Sequence, residues 1–306
     1  MKKVTVLLSF ISLLFIISCS SKVYVYSSFH EPATEGLRYL WSKDGSHWDS
    51  IPGTWLKPEI GQQKVMRDPS IQPTPDGIYH LVWTSSWKGD RGFGYAESRD
   101  LYHWSPERFI TVMPDTNTVN VWAPELFYDK TRKEMMMIWA SCIPGKFPAG
   151  MEDPRNNHRL YYTTTKDFKH FSDTKLFYDP GFSCIDAMLV QLGKRKYVMV
   201  LKDNTREMRN IKVSFATDPH GPWTPASKSF TGEYCEGPSV AKIKDGYIVY
   251  CDRYRKKDFG AFFTKDFCTF EDVSDQVSVP KEHKHGTIFM APKRLVKVLL
   301  KRNSGK

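Results

Sequence analysis

The sequence predicts an all-β fold: a five-bladed β-propeller, closed where N-terminal strands join the blade of the C-terminal inner strand. Three observations lead there. No long stretch keeps a helical period before the last turns of the chain. Short runs rich in Val, Ile, Tyr, Phe and Trp, broken by Gly, Pro, Asp and Ser, fill the rest. Two families of short motifs, five members each, alternate along the chain.

The first family is "LRYLWSKDGSHW", "FGYAESRDLYHW", "RLYYTTTKDFKHF", "IKVSFATDPHGPW" and "FGAFFTKDFCTF". Each is a strand, then Ser or Thr one or two residues before an Asp, a turn, and an aromatic that opens the next strand. The aspartates are Asp44, Asp100, Asp167, Asp218 and Asp266, at intervals of 56, 67, 51 and 48 residues. Repeats of roughly 50 residues with about four strands apiece are the pattern of propeller blades. These aspartates are expected to cap turns.

The second family is "RDPSIQ", "WAPELFYD", "IDAMLVQL", "EGPSVAKI" and "HGTIFMAP". The first four precede strongly apolar runs, so they open the inner strands around the central axis. The fifth lies near the C-terminus while "LRYLWSKD" lies near the N-terminus. One blade must therefore be shared between the chain ends, which removes an open sheet edge. The tail "KRLVKVLLKRNSGK" reads as a short amphipathic helix packed outside, or as a frayed end.

Aligning the inner strands puts Asp68, Asp186 and Glu236 at nearly equivalent places on three blades, with His285 on a fourth. Inner strands start at one mouth of the axial tunnel, so these groups should face one another. The equivalent place in "WAPEL" is apolar. Three converging carboxyls suit glycoside hydrolysis, in which one group holds a proton for the leaving oxygen and another stays ionised to activate water or attack the sugar. Mutual repulsion is expected to raise the pKa of the acid.

The ordered set "RDPSI", "WAPEL", "CIDAMLV", "EGPSV" and "HGTI" resembles glycoside hydrolase family 43 over nearly the whole chain after the leader. The resemblance implies a five-bladed propeller and an inverting glycosidase. It implies Asp68 as general base, Asp186 as the residue that adjusts the acid's pKa and orients substrate, and Glu236 as general acid. "IDAML" departs from the family, where proline often follows the aspartate. His285 matches a histidine that relatives often place near a calcium ion or water in the tunnel. Calcium prefers oxygen ligands, so any contact from His285 to a structural ion is expected to run through water, and no cofactor is needed for catalysis.

Trp87 in "WTSSWKGDRGFG" and Trp122 in "WAPEL" are candidate platforms for a sugar face; the alternative for each is a place in the core. Arg253 in "CDRYRKKDFG" matches an arginine that some relatives aim at sugar hydroxyls or at the carboxylates, the alternative being a strand-end ion pair. Glu125 is expected to tie blades together rather than to act on substrate. The insertion at 143–159 is placed to wall off one end of the site.

The chain starts "MKKVTVLLSFISLLFIISCSS": two lysines, a 14-residue apolar run from Val4 to Ile17, then small residues and a cysteine. That is an export signal, too short to span a bilayer, and "IISC" resembles a bacterial lipobox with Cys19 as the lipidated residue. The expected organisation is a signal peptide at 1–18, a lipidated tether at 19–25 and the propeller at 26–306, in a lipoprotein of the cell envelope. The formal charge of +10 falls to +8 once Lys2 and Lys3 are removed, a balance that suits an acidic partner such as a uronic-acid-bearing glycan. No basic run with interleaved aromatics points to nucleic acid. Cys142, Cys184, Cys235, Cys251 and Cys268 are odd in number and lie in apolar runs, so they read as core residues rather than disulfide partners.

The function expected is hydrolysis of O-glycosidic bonds in plant or microbial glycans, of the arabinofuranosidase, xylosidase or galactosidase type. Two alternatives stay open: a non-catalytic glycan-binding lipoprotein, whose signature would be loss of an axial carboxylate, and a fructan-type furanosidase of a neighbouring propeller family.

Overall fold

The computed structural model describes residues 21–148, 152 and 156–303. The leader and Cys19 lie outside the described residues. Five sheets surround an axis. Blade 1 runs through Arg67–Pro73, Tyr79–Thr84, Gly92–Ser98 and Arg108–Thr111, and blade 2 through Trp122–Asp129, Glu134–Cys142, His158–Thr165 and Lys175–Tyr178. Blade 3 is Cys184–Gly193, Lys196–Asp203 and Asn210–Ala216; blade 4 is Cys235–Ile243, Gly246–Arg253, Asp258–Thr264 and Glu271–Asp272. Blade 5 joins the chain ends, because Lys22–His30 pairs with Ile288–Pro292 on one side and Arg38–Ser42 on the other. The predicted closure is therefore observed.

Blade 3 has three strands rather than the expected four. The segment that would make the fourth contains Pro219, Pro222 and Pro225. It touches the neighbouring strand through sparse hydrogen bonds, such as Thr224 N–H to Phe215 O and Ser227 N–H to Val213 O. Proline supplies no donor to a ladder, so continuous pairing fails there.

Five apolar clusters hold the ring, one at each blade interface. In "YHLVWT" of blade 1 every residue is buried. Leu81 and Trp83 face blade 5, while the alternate Val82 faces blade 2. The two-residue period of a strand thus supplies both neighbours. The C-terminal helix (Lys293–Asn303) packs Val296 and Leu299 into the interface of blades 5 and 1, as an outer cover.

The repeat aspartates close turns as expected. Asp100 Oδ1 accepts the N–H groups of Tyr102 and His103 at 2.9 and 2.8 Å, and Asp44, Asp167 and Asp266 repeat the pattern. Two expectations shift. Lys22–His30 is already a strand with Val23 and Val25 buried, so the propeller starts at Lys22, inside the span expected to be tether. Cys268 is exposed in a turn instead of in the core, whereas Cys142, Cys184, Cys235 and Cys251 are buried.

Candidate active site

A repeated bulge makes the site. In blades 1 to 4 the inner strand loses register at its motif, between Arg67/Ser70, Trp122/Glu125, Ile185/Met188 and Glu236/Ser239. The second motif residue takes a left-handed backbone, with φ of 51° at Asp68, 46° at Ala123, 52° at Asp186 and 54° at Gly237. Bulges re-aim side chains, and here they turn the first and second motif residues toward the axis. Glu236 consequently sits one step before the position of Asp68 and Asp186, in register with Arg67, Trp122 and Ile185. Glycine at 237 has a steric reason: a Cβ there would lie 1.9 Å from Cγ of His285.

Asp68, Asp186, Glu236 and His285 all line one pocket at the mouth of the tunnel. His285 Nε2 lies 2.8 Å from Asp68 Oδ1, and Thr84 Oγ1 donates to Asp68 Oδ2 at 2.8 Å. Burial raises the proton affinity of Asp68, but the His285 hydrogen bond and charge, with Arg67 and Thr84, outweigh it and hold the carboxyl below its ordinary pKa. Burial disfavours a charged His285 as well. Asp252, whose Oδ2 faces Nδ1 at 3.6 Å, and Asp68 nevertheless raise the ring well above its ordinary value. Asp68 and Asp252 set carboxylate oxygens beside the ring, and Glu236, Asp252 and His285 bring ligand atoms within 4.8 Å of one another, so the residues around His285 offer oxygen donors to the expected ion.

Glu236 corrects an expectation. Its Oε2 accepts from Lys202 Nζ at 2.8 Å, and Lys202 is only 2 % exposed. Burial pushes Glu236 up, but the Lys202 charge outweighs it and leaves the carboxyl below its ordinary pKa. Clustering alone was expected to raise it. Asp186 is the carboxyl held high: burial lifts it, Lys202 and His285 offset part of that, and Glu236 and Asp68 add to it. Asp186 Oδ2 also accepts the N–H of Gly237 at 3.0 Å.

Trp87 and Trp122 both line the pocket. Their rings are 4.7 Å apart, Trp122 stacks on His158 at 4.6 Å, and Trp122 Nε1 donates to Trp87 O at 2.9 Å. Trp87 is 46 % exposed and carries the Arg67 guanidinium 5.0 Å from its ring. Neither is a core residue. Arg253 is not among the pocket residues. Its guanidinium is tied to Asp258 at 2.7 and 2.9 Å and borders another surface cavity, because the strand pairing sets the two residues opposite each other. Glu125 accepts from Thr287 Oγ1 at 2.8 Å across blades 2 and 5, and burial lifts its pKa to about 7.

Residues not singled out as candidates in the sequence complete the pocket: Arg67, Lys202, Asn204, Arg209 and Glu152. Lys202 carried a signal, since a lysine ends the otherwise apolar run "YVMVL" of a buried strand. Glu152 comes from the 143–159 insertion and accepts from Asn204 Nδ2 at 2.6 Å, so the insertion contributes to the pocket wall; residues 149–151 and 153–155 of it lie outside the described residues.

A propeller with a carboxylate-lined axial pocket defines a class, the five-bladed glycosidases, and the comparisons agree. Residues 20–293 match the model of a probable glycosyl hydrolase domain related to glycoside hydrolase family 43. The chain belongs to that family and is a glycoside hydrolase. It is similar in structure to a thermostable family-43 glycoside hydrolase at 13 % identity and a TM-score of 0.60, covering 86 % of this chain and 92 % of that one. An α-L-arabinofuranosidase from Lactobacillus brevis gives 18 % identity and 0.53, with 68 % and 72 % covered. A family-43 β-1,3-galactosidase gives 11 % and 0.54, with 68 % and 75 % covered. At these identities the structural likeness concerns the fold. No protein of curated function matches the sequence.

Proposed function

We propose that this enzyme hydrolyses O-glycosidic bonds of a plant or microbial glycan with inversion at the anomeric carbon. The observation that carries this is the meeting of Asp68, Asp186 and Glu236 in one pocket. Asp68, kept ionised by His285 and Arg67, takes a proton from the attacking water. The proton for the leaving oxygen comes from one of the other two carboxyls, Asp186 or Glu236. The family resemblance assigns donation to Glu236 and adjustment to Asp186. The contact from Lys202 to Glu236 favours a second reading in which Asp186 holds the proton until substrate enters. The fold relatives named as an arabinofuranosidase and a galactosidase support sugars of those types.

Leaving-group dependence tests the assignment. A good leaving group needs little protonation. Loss of the donor therefore spares activated aryl glycosides and cripples turnover of natural glycans. Glu236→Gln is expected to behave this way and Asp186→Asn to lose both. The opposite pattern moves the donor to Asp186, and wild-type rates in both variants remove the hydrolase reading.

Attachment through a lipid on Cys19 belongs to the same proposal. Ser21 O accepts from Lys293 N–H at 2.8 Å, at the end of blade 5 far from the pocket, since His285 lies near the other end of the strand Lys22–His30. Eight residue steps of strand separate those ends by about 26 Å. A lipid on Cys19 would hold the protein by the face opposite the pocket, with the pocket turned away from the membrane. Retention of the wild type, but not Cys19→Ser, in the membrane fraction checks this.

A further inference from the structure

Four cationic side chains, Arg67, Lys202, Arg209 and His285, line the pocket beside four carboxyls, Asp68, Glu152, Asp186 and Glu236. Two of the four are matched by acids outside that set, Arg67 by Glu31 at 2.8 Å and His285 by Asp252 at 3.6 Å. Among the described residues, the ion pairs of Lys202 and Arg209 are with the pocket's own Glu236 and Glu152. An acid catalyst must carry its proton, so on the hydrolase reading one pocket carboxyl is neutral in the working state. Lys202 is 2 % exposed, where little water screens its charge.

The cations are also grouped. Lys202 is the penultimate residue of the second strand of blade 3, and Asn204 and Arg209 belong to the loop that follows, so one wall presents three donor side chains. Arg209 holds a left-handed backbone, φ 43°, an arrangement costly for a side chain with a Cβ and common where function demands it. Tyr254 braces both cations, lying 5.2 Å from Lys202 Nζ and beside the Arg209 guanidinium. Among the described residues, the ion pair of Arg209 is with Glu152 at 3.5 Å, the outer limit of a hydrogen bond, so its donor fork is not saturated.

We propose that the sugar held in this pocket bears a carboxylate, a hexuronic acid unit, received by Arg209 and Lys202. A planar guanidinium with an ammonium beside it matches a carboxylate better than it matches hydroxyls. Contact with the sugar carboxylate draws Lys202 from Glu236 and sets a new negative charge close to that residue. Neutral sugars lack the group that would do so.

Paired aryl glycosides that differ only at C6 test this: glucuronide against glucoside and galacturonide against galactoside, each in both anomers. The wild type is expected to prefer the uronide of at least one pair, and Arg209→Gln to lower the uronide-to-neutral ratio about 10- to 100-fold, mainly through KM, as loss of a charged hydrogen bond implies. Unchanged thermal unfolding of Arg209→Gln shows that the fold is intact. Cleavage of neutral partners as well as or better than uronides overturns the inference and leaves the hydrolase reading standing. An equal loss on both members of a pair also overturns it. Should no aryl glycoside be cleaved, calorimetry with free glucuronate, galacturonate and their neutral counterparts decides. Tighter uronate binding that weakens in Arg209→Gln supports the inference, and equal or absent binding overturns it.

Discussion

Lys202 Nζ stands 2.8 Å from Glu236 Oε2, a buried ammonium against the carboxyl that the motif pattern marks as the acid. The contact favours the ionised carboxylate. Lys202→Met removes the side-chain donor to Glu236 and should raise its pKa, so that the basic limb of the pH profile of kcat/KM moves up by about one unit or more. A basic limb that stays in place or moves down would show that Lys202 does not govern the acid. Breaking a buried pair by removing one partner costs about 3–5 kcal/mol while the other stays charged. Proton uptake by Glu236 limits that cost, so the variant should lose less stability at pH 5 than at pH 8, as thermal unfolding at both values will show.

His285 acts on the other limb. Its raised pKa and its contact with Asp68 keep the base ionised to lower pH than an isolated aspartate. His285→Gln removes that charge, and the acidic limb of kcat/KM should move to higher pH. The pair is also linked to stability. Asp68, depressed in the folded state, contributes stability above its unfolded pKa and loses it as pH falls through its folded value. His285, elevated, contributes below its unfolded value of about 6.5 and loses that as pH rises through its folded value. His285→Gln should therefore lose the most stability between those limits, near pH 5 to 6. An acidic limb identical to the wild type would disconnect His285 from the base.

Much of this arrangement was legible in the sequence. The blade count and the closure followed from two motif series in fixed alternation, because each blade repeats the same turn and the same inner-strand start. Asp68 and Asp186 were visible as acids at the place where one blade has Ala123, and Glu236 as an acid one place earlier in its motif. The lysine that closes "YVMVL" was visible but its partner was not, since the pairing of Lys202 with Glu236 joins neighbouring blades, and sequence periodicity within one strand carries no information about how blades face each other. Arg253 failed for a related reason: its sequence position resembles that of an active-site arginine, yet the strand pairing gives it Asp258. The missing fourth strand of blade 3 had a readable cause in its three prolines.

Gly237 offers a test of how tightly the pocket is built. A Cβ would meet His285 at 1.9 Å and a left-handed φ would be imposed on alanine. Gly237→Ala should cost about 1 kcal/mol or more from the backbone alone. Displacement of His285 should lower kcat as well, with KM less affected. Wild-type kcat in a folded Gly237→Ala protein would contradict the role given to His285.

Glu125 predicts a pH effect apart from catalysis. Burial lifts it to about 7, so between about 4.5 and 7 the folded protein holds a proton that the unfolded chain releases. Stability falls as pH rises through that window, by roughly 3 kcal/mol at most. Glu125→Gln keeps the acceptor for Thr287 and removes the titration. The loss of Tm between pH 5 and pH 8 should shrink in the variant, whereas an unchanged loss would place the effect elsewhere.

Turnover by Asp68→Asn, on an aryl glycoside that the wild type cleaves, bears most directly on the three-carboxylate site. The substitution preserves shape and the hydrogen bond from Thr84 while abolishing the base. A fall of about 10²–10⁴-fold in kcat, in a protein that still unfolds in one cooperative transition, is the expected result. Turnover within a few-fold of wild type would mean that Asp68 does not activate the water.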